Sequence, residues 1–119
     1  MKNLKKFCVS ENSTIKEAIY GIQTDLCRCV IVLNDHNKVT GVFSEGDVLR
    51  LILSEVDIHT PLKKVIKPSF FYLKDRNFEE AFRLVKKFGI TLIPVVDEDF
   101  NLKDVITIFD ILDQLTFKK

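Results

Sequence analysis

Two tandem copies of a strand–helix–strand–strand–helix (βαββα) unit, packed sheet against sheet with the helices outside, give an α/β protein of the α+β kind. Three observations predict it. Sliding the sequence along itself by 63 positions aligns Phe7 to Ile52 with Phe70 to Leu115 without a gap. Within each copy a β-branched run bounded by turn residues is followed by a second short strand. Each copy also carries two apolar helical stretches, each opened by a capping signal. Identities such as Glu17/Glu80, Ala18/Ala81, Val42/Val105 and Asp47/Asp110 fall in register with these signals.

Each unit opens on a β-prone segment, Phe7-Cys8-Val9 and Phe70-Phe71-Tyr72-Leu73. Thr14-Ile15-Lys16-Glu17 and Asn77-Phe78-Glu79-Glu80 then read as capping boxes, in which the first side chain accepts a backbone N–H and the Glu reaches back. Apolar residues follow at helical spacing: Ile15, Ala18, Ile19 and Ile22, then Phe78, Ala81, Phe82 and Val85. Gly89 is placed to end the second of these helices in a left-handed conformation. The central strands are Cys29 to Leu33 and Leu92 to Val96, each paired through a turn with Val39 to Phe43 and Leu102 to Ile106. Ser44 and Thr107 start the last helices. In Val48-Leu49-Arg50-Leu51-Ile52-Leu53 five of six residues are apolar, more than one buried face needs, which points to a second subunit. Repeat one spans 4–55, the connector 56–67 and repeat two 68–117. The connector is expected to hold a short helix capped by Thr60, with Pro61 in its first turn.

The 119 residues are 46% hydrophobic and 29% charged, with 4 Gly and 3 Pro, which excludes collagenous and disordered classes. A chain of this length buries roughly 65% of its unfolded surface and needs no disulfide or metal to fold. Charge is balanced, 18 Lys+Arg against 17 Asp+Glu, and no basic stripe is present, so nucleic acid is not an expected partner. No apolar run reaches the ~20 residues of a membrane span and no signal peptide is evident, so no membrane association and a cytoplasmic location are expected. Cys27-Arg28-Cys29 lacks zinc-ligand spacing; the three cysteines read as small buried hydrophobes, and no metal is expected. His36 and His59 read as surface residues. No nucleophile with an activating partner, Walker loop, dinucleotide turn or HExxH motif occurs, so catalytic residues are not expected and the chain reads as a non-enzyme.

Gly41-Val42-Phe43-Ser44-Glu45-Gly46-Asp47 and Ile93-Pro94-Val95-Val96-Asp97 carry a specific likeness. The chain resembles a tandem CBS domain pair, or Bateman module, over nearly its whole length. That resemblance implies a pseudo-twofold disc with two clefts, a homodimer, and an adenosine ligand: AMP, ADP, ATP or S-adenosylmethionine. It implies that Asp47 and Asp110 hold ribose hydroxyls, that Ser44 and Thr107 contact phosphate, and that Pro94 belongs to the ligand-proximal central strand. Ser44-x-x-Asp47 and Thr107-x-x-Asp110 are equally capping boxes that need no ligand. Arg28 and Thr91, at matching positions before the central strands, either reach the ligand or sit at solvated strand ends.

The two clefts are expected to differ. Gly41 and Gly46 leave the first turn open to a phosphate, with Arg28 and Arg50 as candidate cations. Asp104 stands in the family's glycine position in repeat two, and Ile108-Phe109 is bulky, so the second cleft is expected to be narrower, and either degenerate or selective for an uncharged adenosine group. Among CBS pairs, the chain most resembles those preceding sugar-phosphate nucleotidyltransferase domains, which implies a regulatory segment controlling a fused or partner enzyme. The alternative is a degenerate pair that serves only as a dimerisation or docking scaffold.

Overall fold

The computed structural model describes residues 3–117. In repeat one, β1 (Cys8–Ser10) pairs parallel with β2 (Cys29–Leu33), which pairs antiparallel with β3 (Val39–Ser44). Helices α1 (Ile15–Thr24) and α2 (Glu45–Leu53) complete the unit. Repeat two carries α3 (Phe78–Phe88), the antiparallel pair β4 (Leu92–Val96) and β5 (Leu102–Thr107), and α4 (Ile108–Phe117).

The β2 and β4 strands are buried on both faces, and their alternation divides the core. Cys29 and Ile31 join Leu92, Val96 and Val105 in a central cluster between the two sheets. Val30 and Val32 face α1 and α2, packing on Ile15, Ala18 and Phe43, while Ile93 and Val95 pack on Ala81, Leu84 and Ile111. This is the sheet-on-sheet arrangement with outer helices that the repeat pattern predicts.

Contacts between equivalent residues mark the pseudo-twofold axis. Lys38 and Asn101, 63 residues apart, form an isolated bridge, and the Lys38 ammonium donates to Asn101 Oδ1 at 2.8 Å. The hairpin turns repeat as well: Asn34 Oδ1 accepts from the amides of His36 and Lys38, and Asp97 Oδ1 from those of Asp99 and Asn101. Both turns end in a left-handed residue, Asn37 (φ 61°) and Phe100 (φ 62°). Phe100 holds that uncommon conformation while packing edge-on against Phe70 and Tyr72.

Three expectations are corrected. The segment Phe70–Leu73 is no full strand: only Leu73 bridges, in parallel, to Val95. Leu73 N–H donates to the Pro94 carbonyl and Val96 N–H to the Leu73 carbonyl. The next rung would need an N–H from Pro94, which has none, so the ladder stops. The connector is not helical beyond a 3-10 turn at Leu62–Lys64, and Pro61, not Thr60, is its N-cap. Backbone bonds to repeat one hold it extended instead, from Ile15 N–H to the Thr60 carbonyl and from Leu62 and Lys63 N–H to the carbonyls of Ser13 and Glu11. Asn77 caps α3 through the Glu80 amide, but the Glu80 carboxylate pairs with Arg83 and closes no box. The Thr14–Glu17 box is complete, and Gly89 ends α3 at φ 69°.

Candidate functional site

Each β-hairpin runs straight into its last helix, which puts Ser44 and Thr107 at equivalent N-termini. Asp47 Oδ2 accepts from Ser44 N–H at 2.9 Å and from Ser44 Oγ at 3.0 Å, and the Asp47 amide donates to Ser44 Oγ at 3.2 Å. Thr107 N–H donates to Asp110 Oδ2 at 2.9 Å, and the Asp110 amide to Thr107 Oγ1 at 3.2 Å. Both motifs are thus formed capping boxes, each worth about 1 kcal/mol to its helix. The amides of Glu45 and Ile108, the next residues in each turn, donate to the carbonyls of Arg28 and Thr91, so the residues before the central strands fix the start of each helix.

Around these shared cores the two turns differ. At the first, Arg50 folds back to pair with Asp47 Oδ1, and its guanidinium lies over Gly46, where an added Cβ would sit 3.5 Å from Arg50 Nη1. A Cβ added at Gly41 would meet Ile66 and the Lys67 carbonyl of the connector, both at the ordinary contact distance of 3.7 Å. Both glycines therefore lie in contact range of other parts of the chain, Gly46 beside the exposed Arg50 side chain and Gly41 beside the connector. Arg28, left-handed at φ 59°, sends its side chain to Glu45 at 3.4 Å with both groups more than half exposed, a pairing of little energetic weight. A cavity of about 260 Å³ touches Asp47, Arg50, Lys67 and Ser69, and its lining omits Ser44, Gly46 and Arg28.

The second turn opens on a larger cavity of about 450 Å³ between the repeats. Thr107, Phe109 and Asp110 line it from repeat two, and Phe7, Asp25 and Cys27 from repeat one. The expected narrowing is not found. Phe109 is 44% exposed and forms a wall without filling the space. Asp104 does not line this cavity, and its carboxylate is held by Arg76 at 2.7 Å, so its charge is balanced where it stands.

Two predicted site residues have other roles. The Thr91 hydroxyl crosses to repeat one, donating to the Cys27 carbonyl at 2.6 Å and lying 3.8 Å from Cys29 Sγ. It is neither a solvated strand end nor a group turned to a ligand; it ties the repeats together. Pro94 is fully buried within β4, where it faces the opposite sheet with Leu92 and Val96 and lines neither cavity. What the sequence reading missed is the first repeat's share of the larger cavity, Phe7 with Asp25, Leu26 and Cys27. Arg28, flagged at the adjacent position, was the only signal near them.

Burial pushes the thiols of Cys8, Cys27 and Cys29 up to about 11, 12 and 12, with the Asp25 charge adding to the effect at Cys27. Such thiols are poor nucleophiles and poor metal ligands. Among the described residues, no group of three or more His, Cys, Asp or Glu is placed to hold a metal ion. Unfolded thiols ionise near 9, so above that pH the unfolded chain releases protons that the folded chain keeps. The thiols are therefore expected to leave stability unchanged below pH 9 and to lower it between pH 9 and about 12. Urea midpoints at pH 8 and 10 check this, and Cys27→Ala should reduce the fall.

A family model for the CBS domain matches residues 3–54 and 62–116, the two repeats seen in the fold. The chain is a pair of CBS domains. Among curated relatives, it is 26% identical over 113 residues to the magnesium transporter MgtE of Thermus thermophilus, covering 90% of this chain and 24% of the transporter. It is 31% identical over 111 residues to an A-adding tRNA nucleotidyltransferase of Aquifex aeolicus, covering 92% of this chain and 13% of the enzyme. The chain thus spans only a minor part of these relatives. Among solved structures, the CBS domain protein PAE2072 of Pyrobaculum aerophilum, complexed with AMP, superposes with a TM-score of 0.74 at 19% identity, over 98% of both chains. The CBS pair of protein MJ0100, in complex with 5-methylthioadenosine and S-adenosyl-L-methionine, superposes at 0.76 and 18% identity, over 95% of this chain and 90% of that one. A CBS pair is a regulatory module and not a catalytic one. Among the described residues of this pair, no helix is long and apolar enough to cross a membrane.

Proposed function

We propose that this CBS pair senses an adenosine ligand, AMP, ADP, ATP or S-adenosylmethionine, and passes the binding event to a fused or partner effector enzyme. The observation that carries this reading is the cavity of about 450 Å³ between the repeats, which has the Thr107–Asp110 turn in its wall. A carboxylate beside a helix N-terminus accepts hydrogen bonds from a cis-diol, and Phe7 and Phe109 supply apolar surface for a purine. Contributions from both repeats let a ligand bias their relative position, which is what a regulatory module requires. The AMP held by PAE2072 and the S-adenosyl-L-methionine held by MJ0100 support the ligand class. A sugar-phosphate nucleotidyltransferase is the effector favoured by the sequence resemblance. The nucleotidyltransferase relative found here acts on tRNA, which supports the broader class only.

A thermal-shift panel of AMP, ADP, ATP, S-adenosylmethionine, CMP and GTP tests the proposal. Ligand at ~100 times its dissociation constant adds about 2.7 kcal/mol, a shift of several degrees for a domain this size. A shift for an adenosine ligand and none for CMP or GTP is the expected result; no shift for any of them leaves the scaffold reading.

The homodimer belongs to the same proposal. Leu49, Ile52 and Leu53 on α2 and Leu112 and Leu115 on α4 are each at least 49% exposed, and Leu49/Leu112 and Ile52/Leu115 are equivalent positions. Two pseudo-symmetric apolar strips suit a twofold contact between copies. Sedimentation is expected to give a dimer, and Leu112→Glu a monomer of unchanged secondary structure.

A further inference from the structure

The sheet of repeat two ends on a segment that it leaves almost unbonded. In repeat one, β1 pairs with β2 over Cys8–Ser10, whereas the matching segment of repeat two reaches β4 only at Leu73. Among the described residues, the backbone N–H and C=O groups of Phe70, Phe71 and Tyr72 have no hydrogen-bond partner. Leu73 turns both its N–H and its C=O to β4, so in an extended chain those of Tyr72 point the other way, outward from the sheet.

The side chains of this edge form two aromatic sites. Phe71 packs on Phe88 at the end of α3, with ring centroids 4.5 Å apart and exposures of 41% and 47%. Phe70, Tyr72 and Phe100 form a second ring cluster, which borders an open hollow of about 480 Å³ together with Val39 and Pro68. Lysines lie on these rings: Lys74 over Tyr72 and Phe100, 5.9 and 5.4 Å from the centroids, and Lys87 over Phe88 at 5.4 Å. Among the described residues neither lysine forms an ion pair. The βαββα unit does not demand this pattern, since repeat one has Cys8, Val9, Glu11, Thr24 and Asn37 at the positions of Phe71, Tyr72, Lys74, Lys87 and Phe100.

We propose that the Phe70–Tyr72 edge receives an extended acidic segment of a partner protein by strand addition. The backbone of the incoming strand bonds the free groups of the edge, its alternate apolar side chains enter the hollow beside Tyr72 and Phe100, and its carboxylates meet Lys74 and Lys87. The same lysines disfavour a second copy of this edge, which would bring like charges together. Phe70, Phe71 and Tyr72 line neither Ser/Thr-x-x-Asp cavity, so the proposal stands or falls apart from the adenosine reading.

The probe is a capped peptide of alternating glutamate and valine, titrated into the full chain and read by amide NMR shifts and hydrogen exchange. Shifts centred on Phe70–Tyr72 and Phe100 are expected, with slowed exchange of the Tyr72 amide and binding at least tenfold tighter than that of the matching lysine–valine peptide. A copy of the acidic peptide with every backbone nitrogen methylated has no N–H to donate and should lose at least tenfold. Combined Lys74→Glu and Lys87→Glu, both at exposed positions, should weaken the acidic peptide at least tenfold. No shift at Phe70–Tyr72, equal binding of the lysine–valine peptide, equal binding of the methylated copy, or full affinity in the folded double variant overturns the proposal. Should the double variant not fold, the three peptides on the wild type decide by themselves.

Discussion

Leu62→Ala is expected to lower the unfolding free energy by about 3 kcal/mol, within the range for emptying a buried leucine site. Leu62 is fully buried, and it lies in the connector yet packs into the cluster of Ile15, Ala18, Val30 and Phe43 beneath the helices of repeat one. Three backbone bonds strap the flanking residues to the same repeat, so the site cannot easily collapse around a cavity. With total stabilities of about 5–15 kcal/mol, that loss is a large fraction, and about 10–15 °C in Tm. A urea denaturation curve with unchanged slope and a lowered midpoint checks it. A loss below about 1 kcal/mol would mean that the connector is a loose tether.

Asp110→Ala should weaken an adenosine ligand by about 10–100-fold, while Asp47→Ala has the smaller effect. A carboxylate hydrogen bond is worth about 1.5–3 kcal/mol, and ~1.4 kcal/mol is a factor of ten in affinity. Asp110 borders the cavity of about 450 Å³, whereas Asp47 borders the one of about 260 Å³, where Arg50 is paired with it. A diol reaching Asp47 must first displace the Arg50 guanidinium. Each variant also loses a helix cap worth about 1 kcal/mol, so the affinities have to be measured by calorimetry on protein shown to be folded. The opposite order of effects would place the ligand at the first turn.

The two turns show how far sequence reasoning reaches. Ser44-x-x-Asp47 and Thr107-x-x-Asp110 were legible as caps because a capping box is a local object: its two partners lie three residues apart, and both bonds form in each turn. The ranking of the two clefts was not legible. Gly41 and Gly46 mark places without side chains, but what lies beside those places, Ile66 from the connector and Arg50 from the next helical turn, depends on packing. Asp104 carries a charge in the sequence, but its partner Arg76 lies 28 residues away.

What the sequence by itself determined is the set of properties carried by short-range pattern: two repeats 63 residues apart, the β-branched runs that form β2 and β4, the caps of α1 and α2, and the left-handed stop at Gly89. Only the tertiary structure decided which repeat lines which cavity. Thr91, predicted as a ligand contact, became a tie to the Cys27 carbonyl, and Asp25, outside every motif, entered the wall of the Thr107–Asp110 cavity. The reason is physical. Periodicity and capping are written in neighbouring residues, whereas the approach of 24–27 to 107–110 exists only once two sheets share the central core of Phe7, Cys29, Ile31, Leu92 and Val105.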